Sequence, residues 1–370
     1  MTSKARQLAD LGGDTANLED ISSAYSSGAL SNRNKIINGA MTIDQRNAGA
    51  SVAPASQVYT LDRWITDRFG GAATATVQQS AVAPTGFNNS LLYTVGTGEA
   101  PAATAYSNVR QYIEGFNVAD LGFGTAAAQT VTLSFWVRSS LTGTFGVSLN
   151  NSSYERGYVA SYAINAANTW EYKTVTIAGD TTGTWLKDNG TGIRVIWDLG
   201  VGTTYSSAAG SWTGTYAQFG LAGGVKLAAT AGATWQITGV QLEAGDTATP
   251  FEHRSYGAEL ALCMRYYERK SFTNGEDICM CMANSGSLTQ TIGVFQLAVP
   301  KRAKPTSTNS GAATIKFGFL NGSTTGSTIL GASGTLTTGS VLLGLSSNAA
   351  QVAGYYFSDG VSYIALDAEL

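Results

Sequence analysis

The chain has 370 residues, a net charge of −3 and only 13% charged residues, against roughly 25% in an ordinary globular domain. Gly, Ala, Ser and Thr fill the difference, with 7 Trp and 17 Tyr. This aromatic content excludes a disordered chain, the 44 glycines have no three-residue period and exclude a collagen-like one, and the near-neutral balance argues against nucleic acid as a partner.

Residues 1–35 are small and polar. Leu18, Ile21 and Tyr25 share one helical face, and Asp14 or Thr15 supplies a cap for a short helix near 15–25. Gly12-Gly13 rules out a sustained coiled coil. The segment carries no apolar core of signal-peptide length, and no run in the chain nears the roughly 20 apolar residues of a membrane helix. Synthesis in a cytosol without membrane insertion is therefore expected. A monomer has little use for such an arm, whereas three copies would bury their apolar faces together.

From Ile36 the pattern becomes that of strands. Ile37, Gly39, Met41 and Ile43 alternate with Asn38, Ala40, Thr42 and Asp44. Further strands are predicted at 59–69, 91–95, 106–116, 130–138, 146–150, 158–164, 170–177, 193–199 and 234–243, each rich in β-branched or aromatic residues and bounded by turn residues. Short strands in this number specify an all-β sandwich or barrel, and no helix is long enough for the crossovers of a parallel α/β sheet.

Ser255 to Arg269 is the best helix, capped by Ser255 with Leu260, Cys263, Met264 and Tyr267 on one face. It is expected to link a 36–254 sandwich, through a 255–271 connection, to a smaller β domain over 272–370. Strands are predicted there at 278–282, 289–299, 314–320, 352–359 and 361–367, with Gly311–Gly344 as short strands and long turns. No repeat of 20–50 residues is present. Cys263, Cys279 and Cys281 read as reduced, mostly buried thiols, and the only histidine, His253, cannot complete a metal site with them.

Several motifs are recognisable. Ile36-Ile37-Asn38-Gly39-Ala40-Met41, Gln45-Arg46 and Tyr59-Thr60-Leu61-Asp62-Arg63-Trp64 resemble the opening of a family of bacteriophage tail-fibre and receptor-binding proteins. So do Leu133-Ser134-Phe135-Trp136-Val137-Arg138, Gly239-Val240-Gln241-Leu242-Glu243-Ala244-Gly245, Ala248-Thr249-Pro250-Phe251-Glu252 and Arg265-Tyr266-Tyr267-Glu268. The resemblance implies a jelly-roll sandwich like those of carbohydrate-binding modules, followed by a smaller β domain. It implies homotrimers in the virion tail, assembled in a host cytoplasm and touching the host surface. The N-terminal arm would dock onto tail or baseplate proteins. It supplies no sugar site residue by residue.

A glycan site needs flat aromatic faces for the apolar side of a sugar and polar groups for its hydroxyls. Phe135 alternates inward with Leu133 and Val137, so Trp136 and Arg138 share the opposite face, which is either a sugar face or a trimer interface. Trp64, Trp170, Trp197 and Trp235 read as packing residues. Trp185 and Trp212 lie in polar loops, with Tyr205 and Tyr216 flanking the latter. Each tryptophan either folds back to cap the sandwich or forms a sugar platform. Asn150, Asn151, Tyr154, Glu155 and Arg156 form another polar-aromatic loop.

Asp180, Asp188, Asp198, Glu243 and Asp246 offer oxygens for a structural calcium, but without the ligand density of an EF-hand; no cofactor is expected. No carboxylate pair, nucleophile motif or phosphate loop stands out, so the chain reads as non-catalytic. A ligand-free virion spacer or decoration protein and a polysaccharide depolymerase are the alternatives.

Overall fold

The computed structural model describes residues 32–272, 277–284, 290–303, 305–309, 314–319, 324–335, 340–346, 354–359 and 362–370. Beyond Ser271, side chains are described at 297–303, 305–306, 363 and 365–370. The arm expected over 1–35 lies, up to residue 31, outside the described residues.

Two antiparallel sheets form a sandwich. One has seven strands in the order β1 (Val58–Leu61), β2 (Trp64–Phe69), β5 (Tyr106–Glu114), β10 (Thr191–Val201), β7 (Gly143–Asn150), β8 (Gly157–Ile164) and β12 (Trp212–Thr213). The other has five: β3 (Ala75–Ser80), β4 (Ser90–Val95), β14 (Thr234–Ala244), β6 (Val131–Ser139) and β9 (Glu171–Ile177). A short parallel pair, β11 (Ser206–Ser207) and β13 (Gly220–Leu221), stands apart from them. The all-β sandwich expected from the sequence is the fold observed.

The two-residue period of a strand divides each sheet into faces. On β6, Val131, Leu133, Phe135 and Val137 are fully buried between the sheets. Ile193, Val195, Trp197 and Leu199 of β10 meet them from the other sheet. Phe135 packs edge-on against Trp197, centroids 5.7 Å apart at 89°, a geometry the ring quadrupoles favour. Trp64 adjoins Trp197 at 5.6 Å, and the Trp235 indole N–H donates to the Tyr162 hydroxyl (3.3 Å).

Several expected elements are corrected. Ile36 to Arg46 is not a strand. Asn38 and Met41 both take φ of 57°, and the Asn38 side chain bonds both backbone groups of Ile43 and the Asp62 carbonyl. Ile36 and Met41 enter the sandwich core, while Ile37 and Ile43 join Cys263 and Tyr266. The alternation thus serves two separate clusters instead of two faces of a sheet.

The expected strand 59–69 breaks into the hairpin β1–β2 at Arg63, whose φ is 71°. Its guanidinium, 1% exposed, lies 3.6 Å from the Tyr266 ring centroid and donates to Glu369 and to the Tyr112 carbonyl. These partners are distant in sequence. β3 was also not anticipated.

Helix α1 (Tyr256–Met264) starts as predicted, with the Ala258 amide donating to Ser255 Oγ (3.4 Å). It stops five residues early, because Tyr266 turns inward to Glu114 (2.6 Å) and β15 (Tyr267–Phe272) begins. Cys263 is buried in this cluster, and burial pushes its thiol well up. The side chains of Cys279 and Cys281 lie outside the described residues.

β15 pairs with β23 (Ser362–Asp367), which pairs with β18 (Thr306–Asn309). A closed barrel follows the order β16 (Asp277–Asn284), β17 (Gln290–Gln296), β21 (Ser340–Ser346), β20 (Thr324–Thr335), β19 (Thr314–Phe319) and β22 (Gly354–Asp359). β20 runs twelve residues through the region expected to hold short strands. The chain end returns to the sandwich, where Arg46 bridges Asp367 (3.1 Å) and Glu369 (3.0 Å).

Candidate functional site

The sequence candidates separate into three places. The first is the outward face of the five-stranded sheet. Trp136 on β6 stands opposite Tyr172 on β9, with ring centroids 5.4 Å apart at 49°. Such directly opposed residues are the closest side-chain neighbours across a sheet. Beside them, Phe87, Phe251 and His253 form an aromatic triangle with centroid distances of 4.9 to 5.3 Å. The two groups together line an open cleft of about 590 Å³, with Thr85, Thr249 and Pro250.

Local backbone features build this cleft. The pairing of β14 with β6 slips between Thr238 and Gln241, a bulge. Gly239 within it has φ of 61°. A Cβ there would meet Phe87 Cζ at 2.6 Å and Trp136 Cδ1 at 3.1 Å, so both conformation and space require glycine. The wall that carries Phe251 is stapled to the sheet by two buried residues of β14. Glu243 accepts from the Thr249 amide (2.9 Å) and hydroxyl (2.6 Å), and Gln241 Oε1 accepts from the Glu252 amide (2.8 Å).

No Asp or Glu lines the cleft. Arg138, half-buried two residues from Trp136 on the same face, donates from Nε to the Asn168 carbonyl (2.8 Å) and from Nη1 to Gln236 Oε1 (2.6 Å). Glu171 and Lys173 alternate to the other side of β9 and pair with each other at 2.6 Å.

The second place is the outward face of the seven-stranded sheet. Tyr205 stacks on Phe219 (5.4 Å, 15°), Tyr106 meets both edge-on, and Phe69 stacks on Tyr106. Ile196, Val201, Ala217 and Phe219 are buried beneath. The two ends of the chain from Thr203 to Leu221 therefore plug this face, while Trp212–Thr213 between them joins the sheet edge as β12. Asp198 holds its end, accepting from the Leu221 amide (2.9 Å) and Lys226 (3.1 Å).

Tyr154, with φ of 58°, accepts from Arg110 (2.9 Å) and lies under the Arg194 guanidinium (4.0 Å). Burial, aided by the Asp67 carboxylate, pushes the Tyr106 hydroxyl up to about 12. Tyr216, at 66%, and Phe69, at 54%, are largely exposed.

In the third place Trp185 and Trp212 take the first of their two expected roles, as caps of the sandwich instead of sugar platforms. Trp185 is 8% exposed and belongs to the main core. It meets Phe123 and Trp212 edge-on, and Trp212 also meets Phe123 and Tyr158. Both indole N–H groups donate to backbone carbonyls, of Thr182 (3.1 Å) and Ala178 (2.7 Å). These two tryptophans cap the sandwich edge, because a polar loop can fold its one large aromatic inward. Asn150 and Asn151 are likewise structural, donating to the Gln218 and Thr184 carbonyls.

The carboxylates considered for calcium each accept from the protein, Asp188 from the Gly190 amide and Asp246 from the Thr247 hydroxyl. Asp180 forms a fork with Arg156, and Asp198 and Glu243 are engaged as above. Among the described residues no three His, Cys, Asp or Glu side chains converge.

Of the seven sequence candidates, the structure puts Trp136 and Arg138 on one face, Tyr154, Tyr205 and Tyr216 on the other, and Trp185 and Trp212 in the edge cap. Phe87, Tyr172, Phe251 and His253 were missed. The alternation of β9 marks Tyr172 as outward, but Phe87 and Phe251 sit in loops with no periodic signal.

No protein-family model and no curated protein matches the chain. Solved structures of similar fold include the enzymatically active domain of bacteriophage CBA120 tailspike protein 4, at 13% identity over 58% of this chain and 22% of that chain, TM-score 0.30. Others are a CBM4 structure, at 14% over 56% and 98%, TM-score 0.32, and the family 11 carbohydrate-binding module of a Clostridium thermocellum cellulosomal cellulase, at 10% over 56% and 100%, TM-score 0.28. The chain thus matches about a fifth of the tailspike's length. At these identities and TM-scores the likeness says nothing about ligands.

Proposed function

We propose that this protein is a non-catalytic adhesin of a phage tail fibre that grips a host-surface glycan in the cleft lined by Trp136, Tyr172, Phe87, Phe251 and His253. The observation that carries the binding role is the cross-strand aromatic pair. Its rings line an open cleft together with Phe87, Phe251 and His253, and such aromatic faces take the apolar side of a pyranose. The tail-fibre and homotrimer reading rests on the sequence motifs, of which Gly239 and the 248–252 segment build the cleft itself.

A single cleft of this size is expected to bind weakly, with Kd of roughly 1 mM to 1 µM, and three copies in a fibre would raise the avidity. Titration of host surface polysaccharide into the purified protein, followed by tryptophan fluorescence, tests the site. Trp136→Ala is expected to weaken binding about tenfold or more, and undiminished binding by this variant rejects the cleft. Incubation with the same polysaccharide is expected to leave its chain length unchanged, and shorter products would make the protein a depolymerase. The solution mass is expected to be that of a trimer, and a stable monomer would reject the fibre assembly.

A further inference from the structure

We propose that the glycan held in this cleft is acidic, its sugar ring on Trp136 and Tyr172 and its carboxylate on Arg138; the proposal rests on the cleft being a glycan site. A guanidinium has five N–H donors, and Arg138 gives one from Nε and one from Nη1, both to neutral acceptors. Arg68, Arg194, Arg269 and Arg302 likewise donate to neutral carbonyls, but none of them shares a sheet face with the Trp136–Tyr172 pair; other arginines are paired. Arg63, Arg110, Arg156 and Arg265 each reach a carboxylate within 3.0 Å.

Arg138 meets no carboxylate among the described residues. The acids around the sheet are turned away, Glu171 to Lys173 and Glu243 to Thr249 and Gln241. The two neutral acceptors fix the guanidinium plane and leave N–H groups for a forked hydrogen-bond pair to a carboxylate.

The distance along the sheet suits such a ligand. Two residues of strand separate the Trp136 and Arg138 Cα atoms by about 6.8 Å. A pyranose centred over the indole carries its exocyclic carboxylate toward that position. An uncompensated cation beside a carboxylate-free aromatic cleft also discriminates, because a neutral sugar leaves the charge without a partner.

The probes are an oligogalacturonate and a sialylated oligosaccharide, each beside its carboxyl-reduced neutral form, with host polysaccharide before and after the same reduction. Titrations of the full chain at low and high salt are expected to show at least one acidic form binding about tenfold more tightly than its neutral counterpart, with the margin shrinking at high salt. Arg138→Gln is expected to bring that ratio to about one, and Arg138→Lys to restore part of it.

Equal binding of acidic and neutral forms by the unaltered protein, or a ratio unchanged in Arg138→Gln, overturns the proposal and leaves the cleft as a neutral-glycan site. Loss of all binding in Trp136→Ala, with the acidic preference present in the unaltered protein, supports both readings. Binding indifferent to Trp136→Ala overturns both. Because carboxyl reduction alters the ligand and not the protein, the ratio remains decisive even if an Arg138 variant folds poorly.

Discussion

On the seven-stranded sheet the outward row includes Arg194, Ile196 and Asp198 of β10, and the two ends of the chain from Thr203 to Leu221 lie across it, bringing Ala217 and Phe219 down onto Ile196. On the five-stranded sheet the outward row of β6 is Thr132, Ser134, Trp136 and Arg138; the 245–254 segment and the Phe87 loop lie over part of it and leave Trp136 and Tyr172 lining a cleft. Both faces carry aromatics beside arginines. What separates them is how the returning chain packs: the stretches around Tyr205 and Phe219 seal one face, and the segments around Phe87 and Phe251 leave the other as a cleft. Aromatic content therefore does not distinguish an open face from a plugged one, and the covering chain does.

The largest effect should come from releasing the plug. Asp198 is fully buried and accepts from the Gly200, Val201 and Leu221 amides and from Lys226. Asp198→Ala leaves three buried amide donors without an acceptor and takes the carboxylate from the half-buried Lys226, and a loss of about 3–5 kcal/mol is expected in denaturant melts. Binding at the cleft should persist in the folded fraction.

Trp185→Ala comes next, at about 3 kcal/mol for truncating a core indole. A melt shifted by less than 1 kcal/mol, with weakened glycan binding, would return Trp185 to the role of a platform and erase the distinction between cap and cleft.

Acidity separates scaffold from site more gently. Burial pushes the Asp62 carboxyl up to about 6 from 3.8, against the hydrogen bonds from Gln45 and the charge of Arg46. The folded chain then holds this proton more tightly than the unfolded one. Its contribution to stability is greatest below about pH 4 and falls as pH rises through about 6. Melting temperature across this range should show that decline and Asp62→Asn should flatten it, while neutral-sugar binding in a cleft without carboxylates stays level. A decline that persists in the variant would assign the effect to other groups.

The strands that pack face to face were legible in the sequence because a period of two survives wherever one face is buried, as in Leu133-Ser134-Phe135-Trp136-Val137. That same period placed Trp136 and Arg138 correctly. It failed where a residue is fixed by distant partners. Arg63 turns the chain because Glu369 and Tyr266 receive it, and Ile36 to Ile43 alternates between two cores. Trp185 and Trp212 sit in polar loops, yet three-dimensional return buries them. Phe87 and Phe251 complete the cleft from loops 164 residues apart, and no local pattern joins such a pair.

The finest test compares one exposed tyrosine from each face. Tyr172 is 43% exposed and stands beside Trp136; Tyr216 is 66% exposed and touches Tyr154 at its edge, 6.4 Å between centroids. Neither fills the core, so each alanine variant should change stability by no more than about 0.5 kcal/mol. Their binding should diverge. Tyr172→Ala removes a ring that closes the cleft and should weaken glycan binding by about three- to tenfold, the worth of one aromatic contact at about 0.5–1.5 kcal/mol. Tyr216→Ala should leave affinity unchanged, because it stands over the opposite sheet and its ring meets Tyr154 there. The opposite pattern, with Tyr216 needed and Tyr172 dispensable, would move the binding face to the seven-stranded sheet and make the Thr203–Leu221 chain its contact surface.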